Sequence, residues 1–241
     1  MSGQGVHIWS KLTVSCVGQA DDVVLCSNDI YMLYNLLVLT LDFCKKFSVH
    51  LSADKTKLLN YSDKTNTVVM NPIIIDNKQI NLSDEAEHVG IIRSVSGNLP
   101  NLLNRIHCSK KATNATLASG LARGHRSNPA ACIQVMNMYG TPVLMSGLGS
   151  LVLNSYEINT LHQHHGETLR GYQKLHDDTP QAFIYFMAGS LPAIAILHLR
   201  QLSLFGMISR LPGDPLQNLA KQILITSKQN DISWFVRLCS L

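Results

Sequence analysis

Two aspartates stand side by side in the run Gly18-Gln19-Ala20-Asp21-Asp22-Val23-Val24. Adjacent carboxylates repel when both are ionised, so a chain keeps such a pair where water screens it or where a cation needs it. Carboxylate oxygens suit magnesium, and a two-metal phosphoryl-transfer site holds its ions ~4 Å apart. About 30 residues further on comes Leu51-Ser52-Ala53-Asp54-Lys55-Thr56-Lys57, and after it Glu87-His88-Val89-Gly90-Ile91. A third polar cluster, His162-Gln163-His164-His165, could bind a transition metal through His162 and His165, or through His164 with Glu167. No paired cysteine supports that metal, and a polar helix face is the expected reading. Asp177-Asp178 precedes Thr179-Pro180 and reads as a loop leading into a helix N-terminus. Ser, Cys and His residues occur without a nucleophile-elbow context, so there is no hydrolase case.

The elements around these residues follow from hydrophobic pattern. Residues 12–18 and 23–26 are short, apolar and β-branched and read as two strands, which makes Gln19 to Asp22 a hairpin tip. Ser27 or Asn28 can cap the next element, with Asp29 favourable in its first turn. The long apolar run from Asp29 to Phe47, carrying Lys45 and Lys46 near its end, predicts a helix of about five turns. Residues 57–61, 67–70 and 73–75 read as strands, Asp76-Asn77-Lys78 as a turn leading to Gln79-Ile80, and 88–92 as one further short strand. After Ser94 the texture changes. Residues 99–122 set Leu102, Leu103, Ile106, Leu117 and Leu121 on a polar, partly basic background. From 129 to 239 the pattern is helical, punctuated by Gly and Pro, over about 130–146, 155–172, 180–188, 191–210, 214–228 and 231–239. Asn154-Ser155 and Asp214-Pro215 are good helix starts.

The chain has 241 residues, 46% of them hydrophobic and 15% charged, with a net charge of +4. Such a chain can build a real core and is no disordered tail. Mild basicity permits a nucleic-acid partner without demanding one. The six cysteines (Cys16, Cys26, Cys44, Cys108, Cys132, Cys239) form no C-x-x-C pair, which excludes a zinc finger and a disulfide framework and points to a reducing, intracellular compartment. The start, MSGQGVHIWSKL, lacks the apolar core of a signal peptide. Two stretches, between Arg126 and Glu157 and from Gln181 to Leu199, are free of formal charge. Their length alone would allow a membrane span, but glycines and prolines divide each into shorter buried helices, and no membrane partner is expected.

The order of motifs is more specific than any motif alone. An Asp-Asp hairpin, a long helix, a Lys-Thr-Lys element and an "H-x-G-I" segment together resemble the C-terminal half of the palm of reverse transcriptases encoded by non-LTR retrotransposons. In that family the hairpin carries an aromatic, any residue, then Asp-Asp; the next motif is like "N-P-x-K-T-K" and the last like "H-L-G-I". The resemblance continues through "GTPVLMSGLGSLVLN", through "TLRGYQKLHDDTPQAFIYFMAGSLPAIAILHLRQLSLFGMISRLPGDPLQNLAKQIL" and to "SWF", which look like the helical thumb and the region after it. It covers the chain from about residue 12 to the end.

That resemblance implies an α+β chain: an antiparallel, partial polymerase palm over 1–94, then an all-helical thumb-like region over 95–241. It implies that Asp21 and Asp22 bind magnesium and act with Lys55, which would lie near the incoming nucleotide's phosphates. It implies that His88, Val89, Gly90 and Ile91 hold the primer end. RNA template and DNA primer would be the partners, in the nucleus or cytoplasm. Lys57, Lys110, Lys111, Arg123 and Arg126 could contact backbone phosphates, although a solvated helix face explains Lys110, Lys111, Arg123 and Arg126 equally well. This sequence departs from the family at Gln19, where an aromatic is usual, and at Ser52-Ala53-Asp54, where Asn-Pro-Ser is usual. Residues 1–20 contain no Asp or Glu, whereas the family's first catalytic aspartate lies on a separate strand well before the hairpin. Asp76 and Asp84 have no motif around them to replace it. The expectation is therefore an N-terminally truncated palm that also stops short after Trp234-Phe235 and is inactive as an isolated chain, with a nucleic-acid-binding module or a transposon relic as the alternatives.

Overall fold

The computed structural model describes residues 6–9, 12–61, 73–75, 78–116, 118 and 128–210. It divides into two compact units, Met1–Gly97 and Asn98–Leu241. The architecture is α+β: small antiparallel hairpins, then six helices.

In the first unit, β1 (Val6–Trp9) pairs with β2 (Leu12–Val14), and β3 (Cys16–Gln19) pairs with β4 (Asp22–Leu25), both antiparallel. The run expected as one strand over 12–18 is thus split at Ser15 between two hairpins. Helix α1 (Ile30–Lys46) has 17 residues, and its leucines and methionine lose little rotamer freedom in a helix. Its cap is Asp29, whose carboxylate accepts a hydrogen bond from the Tyr31 N–H, rather than Ser27 or Asn28. Lys45 and Lys46 occupy the last turn, where the helix dipole favours cations. Leu36, Leu37 and Cys44 are buried, while Tyr31, Tyr34, Leu39 and Phe43 remain exposed.

Further along, β5 (Ile73–Ile75) pairs with β6 (Lys78–Ile80), and β7 (Glu85–His88) with β8 (Ile91–Ser94). Alternation along β5 sends Ile73 and Ile75 inward and Ile74 to solvent. With Leu37 and Ile80 they form the core of this unit, flanked by Leu25, Leu41, Leu51 and Leu58. The expected strand over 57–61 is reduced to one parallel bridge between Leu58 and Leu82. The expected strand over 67–70 and the turn residues Asp76 and Asn77 lie outside the described residues. Residues 88–92 are not one strand: the chain reverses at Val89 and Gly90, with φ of 52° and 71°. Positive φ at both central residues is the type I′ geometry that matches the twist of a hairpin. Gly90 adopts it freely, whereas Val89 is strained there because its branched Cβ crowds the backbone.

The second unit begins with α2 (Leu99–Thr116) and α3 (Pro129–Val135), the latter capped by the Asn128 side chain. A π-helical turn over Met136–Gly140 leads into α4 (Thr141–Leu144), so the expected helix over 130–146 carries a one-turn irregularity. Gly140 explains the tight packing there. Its carbonyl accepts from Ser109 Oγ on α2 at 2.9 Å, and a Cβ at that position would collide with Thr113 Oγ1 and Met136 Sδ. Helix α5 (Ser155–Gln173) opens on a capping box in which Asn154 accepts from the Glu157 N–H and Glu157 accepts from the Asn154 N–H. Lys174, in the left-handed region, closes it. Pro180 and Pro192 precede α6 (Gln181–Ala188) and α7 (Ala193–Ser209). Leu102, Leu144, Met145, Leu148, Leu161 and Leu197 make one continuous core across α2, α4, α5 and α7. Each such side chain contributes about 1.5–3 kcal/mol by leaving water. Among the described residues no single helix is long and apolar enough to cross a membrane; α6 and α7 pass that test only as a pair, bent by 65°.

Candidate functional site

Asp21 and Asp22 sit at the tip of the β3–β4 hairpin. Gln19 pairs with Asp22, so the loop is only Ala20 and Asp21. Ala20 takes a φ of 53°, the left-handed conformation that reverses the chain, and leaves Asp21 in the loop and Asp22 at the first pair of the ladder. Both aspartates are exposed. Water screens their repulsion to about 1 kcal/mol at 4 Å, so the tip tolerates the pair without help. The donor chemistry is right for a hard cation. However, among the described residues no group of three or more His, Cys, Asp or Glu side chains converges. Asp21 and Asp22 therefore fit magnesium only as part of a ligand set, and no catalytic step is derived through it.

The Lys-Thr-Lys segment is held by its own turn. The Lys55 and Thr56 amides donate to the Ser52 carbonyl at 3.3 and 3.0 Å, and the Thr56 hydroxyl donates to the same oxygen at 2.7 Å. Asp54 pairs with Lys78 of β6 at 2.7 Å, and Lys57 Nζ donates to the Glu85 carbonyl of β7 at 3.4 Å. The structure thus brings Lys57 to the base of the hairpin whose tip is His88, Val89, Gly90 and Ile91. It shows no ion pair joining Asp21 or Asp22 to Lys55 among the described residues. Lys55 and Lys57 are exposed, and His88 is half-buried with its Nε2 shielded from solvent and without a hydrogen-bond partner. Lys110 and Lys111 lie exposed on α2; Arg123 and Arg126 lie outside the described residues.

The histidine cluster on α5 corrects the sequence reading. It is not a polar surface face: His165 is 0% exposed and His164 only 7%. Tyr185 of α6 sits between His162 and His165. Its hydroxyl is 3.2 Å from Nδ1 of each ring, and both rings stack on its own at centroid distances of 5.3 and 5.6 Å. His165 Nε2 is 3.4 Å from the Thr141 hydroxyl, and Gln181 Nε2 donates to the His162 carbonyl at 3.0 Å. One phenol has one proton. It can donate to only one of the two Nδ1 atoms, so the other imidazole must donate to the phenol oxygen, and the two tautomers are coupled.

Burial sets the charge of this network. His165 is held down to about 4, chiefly by desolvation and then by its neighbours His164 and His162. His164 is also held down to about 4, by desolvation first and Lys110 second, against a smaller upward pull from Glu167. Desolvation pushes the Tyr185 phenol up to about 12. All three are neutral near pH 7. Thr141, Gln181 and Tyr185 had no sequence signal as partners of these histidines, because they come from other helices; only the fold assembles them. Their arrangement is a satisfied polar bracket between helices, with the Nδ1 atoms of His162 and His165 both turned to the phenol rather than available to a metal.

Compared with protein-family models, curated proteins and solved structures, the chain matches none.

Proposed function

We propose that this chain supplies the C-terminal half of the palm and the helical thumb of an RNA-directed DNA polymerase from a non-LTR retrotransposon. The supporting observation is the order of the motifs on their elements: exposed Asp21 and Asp22 at a hairpin tip, helix α1, the Lys55 turn, and the His88–Ile91 hairpin. Asp21 and Asp22 are the carboxylates for magnesium, Lys55 serves the nucleotide's phosphates, and the His88–Ile91 tip holds the primer end. Lys57, Lys110 and Lys111, with Arg123 and Arg126, follow the phosphates of a template–primer duplex of RNA and DNA.

The isolated chain binds such a duplex without extending it. Two-metal transfer needs carboxylates from more than one strand, and the described residues bring none to Asp21 and Asp22. The test uses residues 1–241, a DNA primer on an RNA template, deoxynucleotides and magnesium. No extension above a D21N/D22N control is expected. Extension that the control abolishes would overturn the inactive reading. Binding of the same duplex, followed by fluorescence anisotropy, should weaken linearly on a log–log plot against salt and be unchanged in D21A/D22A. Absence of binding at low salt would remove the nucleic-acid reading itself.

A further inference from the structure

Helix α1 is apolar nearly all round, and a helix of that kind is expected to be covered on both sides. One side is covered, with Leu36, Leu37 and Cys44 buried in the first unit. The opposite side stands in water. At about 3.6 residues per turn, Tyr31, Tyr34, Val38, Asp42 and Lys45 form one row along it, and all five are exposed. The row is about 21 Å long. Among the described residues none of its side chains makes a hydrogen bond or an ion pair. The aromatics beside it are already partnered: Phe43 packs on Phe47 at 4.5 Å between ring centroids, and Lys46 lies over the Phe47 ring at 5.7 Å.

The order of residues in the row selects its occupant. Val38 is the midpoint of Tyr31 and Lys45, and equally the midpoint of Tyr34 and Asp42. A second α1 laid antiparallel on the first, with a twofold axis through Val38, therefore sets each phenol opposite a charge. The Tyr34 hydroxyl donates to Asp42 of the second copy, the Tyr31 ring lies against its Lys45 ammonium, and Val38 packs on Val38. Each pairing occurs twice, as an isologous contact requires. A parallel copy in register would stack Asp42 on Asp42 and Lys45 on Lys45, which like-charge repulsion opposes. A nucleic-acid strand is poorly served by the row, which sets one carboxylate against one ammonium. We infer that α1 is a self-association surface, pairing antiparallel with α1 of a second copy of this chain about Val38. The inference stands apart from the polymerase reading. A single helix pair covers less than the roughly 1,200 Å² of a standard interface, so the dimer is weak and reversible.

The experiment follows the 241-residue chain by sedimentation velocity over a micromolar concentration series, with no nucleic acid present. A monomer–dimer equilibrium is expected. Val38→Lys sets two ammoniums on the axis and should weaken it about tenfold or more. Val38 is exposed, so this variant should keep its helix content by circular dichroism. Tyr34→Glu opposes two pairs of carboxylates and should weaken the dimer several-fold. Adding Asp42→Lys to Tyr34→Glu should restore it, since each new glutamate then faces a lysine. Restoration is specific to the antiparallel register, because a parallel pair sets glutamate on glutamate. A chain that stays monomeric throughout the series would overturn the proposal and leave the face to a different partner. A dimer indifferent to Val38→Lys, or one not restored by the double variant, would also overturn it.

Discussion

Helix α1 of the first unit leaves Tyr31, Tyr34, Leu39 and Phe43 in water, whereas α5 of the second buries Glu157, His164 and His165. Both units leave large apolar side chains in water, Phe186 and Met207 of the second among them, but among the described residues buried Glu and His side chains occur only in the second. Among the described residues the first has four hairpins and a small core around Leu37, Ile73, Ile75 and Ile80. The second has a core of ten buried residues running through four helices. The two units divide the labour. The helical unit has enough buried surface to enclose even awkward polar side chains such as His165, held by Tyr185 and Thr141. The hairpin unit is a set of presenting tips, and its acids and lysines are accessible because little is packed over them.

Breaking the larger core should have the largest effect. Leu161→Ala removes a side chain with no exposure and should cost about 2–5 kcal/mol in urea unfolding of the helical unit. A loss below 1 kcal/mol would mean that this core is not the main source of stability. Acid should come next. His164 and His165 are held at about 4 in the fold against an ordinary 6.5. Between those values the unfolded chain binds protons that the folded chain does not, so stability rises with pH there. The contribution is complete above pH 6.5 and is lost as pH falls toward 4. Thermal melts across that window should show the fall, and H164Q/H165Q should flatten it. Tyr185→Phe removes the phenol shared by His162 and His165 and should cost about 1–3 kcal/mol, because two ring nitrogens lose their partner. The smallest effect sharpens the other side of the contrast. Val89→Asn places the preferred residue in a type I′ turn and should add ~1 kcal/mol to the hairpin unit. If Val89 is held strained for primer contact, duplex binding should weaken in the same variant.

Much of the local structure was legible. The β-branched runs on either side of Gln19 to Asp22 made a hairpin whose loop fell on the acids, and Asn154-Ser155 announced the start of α5. The rest depended on partners distant in sequence. Glu85 to His88 has no β-branched residue, yet it is a strand because β8 folds back against it. The π-turn over Met136–Gly140 is held against Thr113 and Ser109, residues more than twenty positions away. His164 and His165 looked like a surface because imidazole is polar. Their burial required Tyr185 and Thr141, which no spacing rule connects to them. For the acidic site, sequence gave the position of Asp21 and Asp22 and the chemistry of their oxygens; what gathers around them is a matter of tertiary contact, which a motif does not encode.

The four hairpins have one more consequence. Among the described residues none of them pairs with another. Two-stranded ribbons are marginal alone and become templates for any extended segment they meet.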